Sequence, residues 1–396
     1  MNNSAILKGT KDLTKDRNRK LSLIYLQHFL NDLHIAFLQT FLPFLIENLG
    51  ITVTQAGVLT SLPGLYNMFL QPVMGFISDR SSKPVMIILG PVLTAFGASL
   101  IPFSPSYGFA LVLVSIWGLG SAVFHPQGHG CIGYIGEKDK LPLQLAFFSM
   151  VGILGSSLSP LYATFLFKYL KSFPLNMVPL LPVTVAGIIF FIFAPSVKET
   201  ITDQSRGTDN FLNNMKSVLL DIWPIWTVTF LRDITNHGIK FLFPLLIALR
   251  GGGIERIGFA LFLIQLIKVI SPVAAGKAAL KYGNKRVILF AQGLSPLLLF
   301  PELFFKGWFP FALFLIGNAL LISSSPLLVT RAQKLAPEAK SMATSLLMGV
   351  AFGLSGLMMT IVGKIADMEG IIVAFSLVLL FPLLNCSIIL FKWGRE

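Results

Sequence analysis

The amino-acid sequence predicts an all-α integral membrane protein, with twelve transmembrane helices in two pseudo-symmetric six-helix halves. Three observations carry this expectation. Of 396 residues, 54% are hydrophobic and only 12% charged, where a water-soluble domain carries about a quarter charged residues. Polar, proline and glycine breaks divide the chain into twelve apolar runs of helical length. The second six runs repeat the first: Asp32 falls onto Asp233, an offset of 201 that holds without a gap at several further positions.

The runs lie near 21–46, 55–78, 85–103, 107–130, 141–168 and 176–196, then 218–249, 255–276, 286–304, 308–332, 340–363 and 370–392. The first, LSLIYLQHFLNDLHIAFLQTFLPFLI, exceeds the ~20 residues that cross a bilayer. It nevertheless carries His28, Asn31, Asp32 and His34 in its middle. An ionisable group at that depth costs at least ~2.5 kcal/mol unless it faces a polar interior. His28 and Asp32 are one turn apart and share a face, so one inward stripe can hold both. The second run ends at Gly75-Phe-Ile-Ser-Asp79-Arg80. In the fourth, Pro126 removes a helix hydrogen bond beside His125. Gly152, Gly155 and Pro160 let the fifth pack closely and bend. After the sixth comes the longest polar segment, Val197 to Lys216, a natural linker. The seventh carries Arg232, Asp233, His237 and Lys240, the last three at i, i+4, i+7 on one face. Arg232 points about 100° from Asp233 on an ideal helix, so a partner on a neighbouring helix is one reading, and structural pairing with Asp233 or Asp32 is the other. The eighth holds Lys268 with no acid within one turn, so it needs a partner elsewhere or an anionic ligand.

Basic residues set the topology. Lys8, Lys11, Lys15, Arg17, Arg19 and Lys20 precede the first run, and no small-residue cleavage site follows a short apolar stretch. With the N-terminus inside, about 22 of the 31 Lys and Arg residues are cytoplasmic and about 6 lie in outer loops. Both termini are therefore expected in the cytoplasm of a cell with this protein in its inner membrane. The expected divisions are residues 1–20 as an N-terminal segment, 21–196 and 218–396 as the halves, and 197–217 as the linker. The net charge of +13 follows this distribution rather than a nucleic-acid surface. Cys131 and Cys386 are isolated, so neither a disulfide framework nor a metal site is expected. No nucleophile–base arrangement marks an enzyme, and no cofactor is implied.

The repeat also carries Pro43 onto Pro244, Gly50 onto Gly251, Gly57 onto Gly258 and Gly75 onto Gly276. Parallel six-helix repeats are a transporter architecture whose substrate site lies near the midplane between halves. Asp32 and Asp233 would then occupy equivalent depths. The copies differ in charge: Lys240 and Lys268 correspond to Gln39 and Asn67, and Arg232 to Asn31.

The segment from Gly75 through Asp79 and Arg80 resembles the loop signature of the major facilitator superfamily, although its second-half counterpart has Leu280 in place of the acid. His28-Phe-Leu-Asn31-Asp32, Gln71-Pro72-Val-Met-Gly75, Gly118-Leu-Gly120-Ser-Ala-Val-Phe124-His125-Pro126 and Gly152-Ile-Leu-Gly155-Ser-Ser-Leu-Ser-Pro160 together resemble the fosmidomycin-resistance exporters of that superfamily. This resemblance covers most of the first half. It implies a proton-driven exporter of a small compound, in a family named for antibiotic resistance.

The expected function is alternating-access export of a small anionic or amphiphilic compound, acting as a monomer in exchange for protons. Asp32 and Asp233, with His28, His34, His125 and His237, are the proton-coupling candidates. Arg232, Lys240, Lys268, Asn31 and Gln39 are the substrate-binding candidates, and Gly75, Asp79 and Arg80 the gating ones. Metabolite uptake on the same scaffold is the alternative, and a non-transporting sensor or scaffold a more distant one.

Overall fold

The computed structural model describes residues 3–80, 84–170, 175–193 and 211–393, so most of the expected linker lies outside it. All regular structure among these residues is helical. In chain order the helices are α1 (Asn3–Asp32), α2 (Phe37–Leu49), α3 (Val53–Arg80), α4 (Val85–Leu100), α5 (Tyr107–Ile135), α6 (Leu141–Tyr169) and α7 (Leu180–Phe193). They continue as α8 (Phe211–Leu249), α9 (Ile254–Tyr282), α10 (Asn284–Leu299), the short α11 (Pro301–Phe304), α12 (Trp308–Ser323), α13 (Ser325–Leu335), α14 (Lys340–Ser345), α15 (Phe352–Glu369) and α16 (Ile371–Lys392). A π-helical stretch, Leu346–Ala351, joins α14 to α15.

Each expected span is met by helix. Nine segments of the described chain are long and apolar enough to cross a membrane. The remaining three spans are α3, the 14-residue α7 and α8. In α8 the mid-helix Arg232, Asp233 and Lys240 dilute an otherwise apolar stretch. Helix α1 runs unbroken from Asn3 into the first span.

One departure from the sequence expectation bears on function. The first span is two helices, broken at Leu33–Ala36 directly after Asp32. The turn is held by bonds from the His34 amide to the Asn31 carbonyl (3.2 Å) and from the Ile35 amide to the Asp32 carbonyl (3.1 Å). The Ala36 amide, freed by the break, donates to Ser159 Oγ at 2.9 Å, and His34 Nδ1 lies 2.8 Å from the Leu30 carbonyl. Irregular backbone at membrane depth persists only where protein groups satisfy it in this way. The corresponding stretch of α8 is continuous, so the two copies have diverged in backbone as well as charge.

The repeat is visible at the end of each first span. Gly50, after α2, has φ +60°, and Gly251, after α8, has φ +78°. Both positions take the left-handed conformation that ends a helix and that glycine adopts without a Cβ penalty.

The described chain forms two compact units. Unit 1 comprises Met1–Phe37, Phe69–Phe103 and Val112–Gln204, and unit 2 comprises Leu38–Met68, Ser104–Leu111 and Ser205–Glu396. Most of α2, and α3 as far as Met68, cluster with α8 to α16. In unit 1, Leu21, Ile24, Phe124, Phe148 and Phe190 belong to one buried cluster. In unit 2 one buried cluster gathers Ile222, Ile225, Val228, Leu328, Leu347 and Ile389. A buried amide network crosses it, with Asn385 Nδ2 donating to Gln292 Oε1 at 3.0 Å and Gln292 Nε2 to Ser324 Oγ at 2.9 Å.

Within unit 2 the start of α3 is latched to α15. The Asp367 carboxylate accepts the Val53 and Thr54 amides, each at 2.8 Å, and the Thr54 hydroxyl. These are orphan donors of a helix N-terminus, where an anion is favoured. Ser61 Oγ donates to the Gly356 carbonyl at 2.9 Å. A Cβ on Gly57 or Gly363 would run into the backbone of the other helix, so hydrogen between them is what permits the approach.

Candidate functional site

The first-half candidates converge in unit 1. Asp32 ends α1 and is buried, with His28 Nε2 3.3 Å from its Oδ2 and His125 Nε2 3.8 Å from its Oδ1. Asn31 Nδ2 donates to Asp32 Oδ1 at 2.9 Å, and Thr94 Oγ1 donates to Asn31 Oδ1 at 2.9 Å. The Asn31 side chain is thereby committed to orienting the carboxylate. His28 and His125 meet edge to face, their ring centroids 5.3 Å apart, and Phe148 lies against His28.

Four of the participants depend on local sequence for their placement. The one-turn spacing of His28 and Asp32 gives their contact. Pro126 lies inside α5 without ending it, and His125 just before it points to Asp32. Gly152 on α6 makes room for the pair: a Cβ there would overlap the His28 ring and lie 2.9 Å from Asp32 Oδ2. Thr94 and Phe148 were not singled out by the sequence, since a threonine or phenylalanine in an apolar run carries no signal of its own.

His28, Asp32 and His125 each offer a ligand atom within 4.8 Å of the others, a set compact enough to surround one small cation. Both carboxylate oxygens are already engaged by imidazole and amide nitrogens, an arrangement that suits a shared proton. His34 stands apart, closing the helix break and packing on Phe37 and Tyr162.

The second-half candidates converge in unit 2. Of the two pairings open to Arg232 the structure has the one within α8: its guanidinium curls back on Asp233, with Nε and Nη2 at 3.0 and 2.7 Å from Oδ1. The side chain is long enough to overcome the angular offset, and both groups are buried. Lys268 on α9 meets neutral acceptors, Asn236 Oδ1 at 3.1 Å and Gln265 Oε1 at 2.9 Å. Lys240 is half-buried two turns after Asp233. His237 packs on Phe352 of α15, its Nε2 buried and without a hydrogen bond. Gln39, also in unit 2, has a buried Oε1 without a partner. At these candidate positions the unit holds three cations and one carboxylate, and one of the cations is bonded to that carboxylate. Gly75, Asp79 and Arg80 lie on the last turns of α3, and their side chains fall outside the described residues.

Comparison with known proteins places the architecture. The profile of the Major Facilitator Superfamily matches residues 24–360. The chain belongs to the major facilitator superfamily. Among curated relatives it is 26% identical over 385 residues to the fosmidomycin resistance protein of Escherichia coli (strain K12), covering 95% of this chain and 93% of that one. It is 23% identical over 336 residues to the multidrug resistance protein MdtG of Salmonella arizonae, covering 80% and 82%. Among solved structures, a bacterial homologue of the human lysosomal transporter Spinster, in an inward-facing and unoccupied conformation, superposes with TM-score 0.77 at 12% identity. That match covers 94% of this chain and 96% of the other. The nucleoside transporter NupG superposes with TM-score 0.73 at 10% identity, covering 95% and 100%. These structures share the fold. This major facilitator protein is thus a multi-pass membrane transporter of a small molecule, and not an enzyme.

Proposed function

We propose that this transporter exports a small anionic or amphiphilic compound in exchange for protons. The observation that carries the proposal is the buried carboxylate of Asp32 between two imidazoles, at the point where the first span breaks. A buried carboxylate in contact with imidazole nitrogens can pass a proton to them or take one from them, since a ring nitrogen both accepts and donates. Loss or gain of that proton changes the charge held at the break and so biases one access state over another. Asp233 is the second coupling candidate, tied to Arg232. Lys240 and Lys268 supply positive charge for a substrate anion, with Gln39 as a neutral amide in the same unit. His237 is the relay candidate on their helix face, whereas His34 serves the backbone of the break. Gly75, Asp79 and Arg80 are retained as gating residues.

Export is the direction supported by relatives named for fosmidomycin and multidrug resistance. The basic residues flanking the spans support an inner-membrane protein with both termini cytoplasmic, and the proposed working unit is the monomer. Proteoliposomes with an imposed pH gradient test the proposal. A compound whose addition moves protons across the membrane, in the direction opposite to its own, identifies both coupling and substrate class. Accumulation that is indifferent to the gradient would remove proton coupling from the account.

A further inference from the structure

At the end of unit 2 where α8 gives way to α9, and α11 to α12, lies a cavity of about 210 Å³. Its walls are mostly aromatic, from Phe243, Phe259, Trp308 and Phe311, with Arg256 and Glu302 as the charged members. Glu302 is buried. Arg250 donates to its Oε1 at 3.1 Å and to the carbonyls of Glu302 and Leu303 at 2.6 and 2.8 Å. The other oxygen, Oε2, is buried without any hydrogen-bond partner. A carboxylate oxygen held in that way has a donor missing. Arg256, at the exposed mouth, makes no ion pair among the described residues. The cavity thus presents one cation without a hydrogen-bond partner, its charge felt by the Glu302 carboxylate, and one acceptor without a donor, over an aromatic floor.

Its size is below that of a pocket for a drug-sized ligand, ~300–1,000 Å³, and suits a small polar head. Around it Phe304, Phe305, Trp308 and Phe309 are all exposed at helix ends. Tryptophan at a helix end, here Trp308 in the cavity wall, marks the level of lipid headgroups. The geometry points to a phospholipid site: a phosphodiester whose headgroup carries an N–H or O–H donor binds here, its phosphate on Arg256 and its donor on Glu302 Oε2. The acyl chains lie along the exposed aromatics. Ethanolamine and glycerol headgroups provide such a donor. Choline does not, because its nitrogen is fully methylated.

The test is lipid retention by the full-length protein, measured by native mass spectrometry after exchange into mixed phosphatidylethanolamine, phosphatidylglycerol and phosphatidylcholine. The first two should be retained over phosphatidylcholine by about tenfold or more, the scale of one charge-assisted hydrogen bond. Glu302→Gln should abolish that preference, and Arg256→Gln should weaken retention of all three. Glu302→Gln also disturbs the Arg250 pair, so Ala260→Leu, which fills the cavity from α9 and leaves the pair intact, is the second variant. It too should erase the preference. Equal retention of phosphatidylcholine, or a preference that survives Ala260→Leu, overturns the proposal. Soluble glycerophosphoethanolamine separates the two sources of the same chemistry. Displacement of the lipid by it at equal concentration would overturn the lipid assignment and give the cavity to a free phosphodiester instead.

Discussion

Asp32 sits among groups that leave it little freedom: two imidazoles, an amide that is itself fixed by Thr94, and a glycine that must stay a glycine. Gly152→Ala would place a methyl group in the His28 ring and against Asp32 Oδ2. Overpacking of this kind costs ~1–3 kcal/mol, and it should fall first on the His28–Asp32 contact. Gradient-driven transport should drop while the protein still inserts, which transport and thermal melting measured on one preparation will show. In the second half of the chain, Lys268 is hydrogen-bonded to neutral amides. Its replacement by Gln should weaken binding of an anionic substrate by about 1–3 kcal/mol, the worth of a charged hydrogen bond, with far less effect on a neutral one. Unchanged anion affinity with a lowered melting point would leave Lys268 a packing role only. Just beyond α5, the Lys140 hydrogen bond and the nearby Arg17 hold the Glu137 carboxyl below the usual carboxylate range. Its ion pair with Arg17 of α1 therefore contributes at neutral pH and persists through the ordinary Glu value of about 4.3. It is lost as the pH falls through the lowered value. Amide exchange at 132–137 should differ between wild type and Glu137→Gln above that point and converge below it.

The latch between α3 and α15 depends on one carboxylate. Removing a side chain that caps a helix N-terminus costs about 0.5–2 kcal/mol. Asp367→Ala should therefore raise amide exchange over 53–61 by roughly 2- to 30-fold if local opening controls it. Exchange that does not change would mean the glycine-lined approach holds the helices without the cap. Nothing in the sequence pointed to this contact, since Asp367 and Val53 are remote in the chain and neither lies in a motif. The break after Asp32 was equally hidden. No glycine or proline marks residues 33–36, and the turn is licensed by Ser159 from another helix and by the His34 side chain. By contrast, the His28–Asp32 face was legible, because helical spacing alone fixes it. The Arg232–Asp233 pair was one of two readings the sequence left open, because an angular argument about Cβ directions says little about where a flexible guanidinium ends.

Across the whole chain, composition and apolar run lengths made the helical membrane architecture readable, and the shared Asp, Pro and Gly positions made the duplication readable. What they could not supply was how the chain sorts into packed units, which depends on contacts between remote segments such as α3 and α15. The positive-inside count also gives a direct expectation. Single cysteines placed at Asn3 and at Ser205 should both react with a membrane-impermeant reagent only from the cytoplasmic side, and labelling of either from outside would overturn the topology. The central claim is that a proton held at Asp32 drives transport. It is tested most directly by Asp32→Asn in proteoliposomes under an imposed pH gradient, with folding verified by thermal melting. The account predicts that the variant still equilibrates substrate across the membrane but no longer concentrates it. Gradient-driven accumulation at the wild-type level would contradict it.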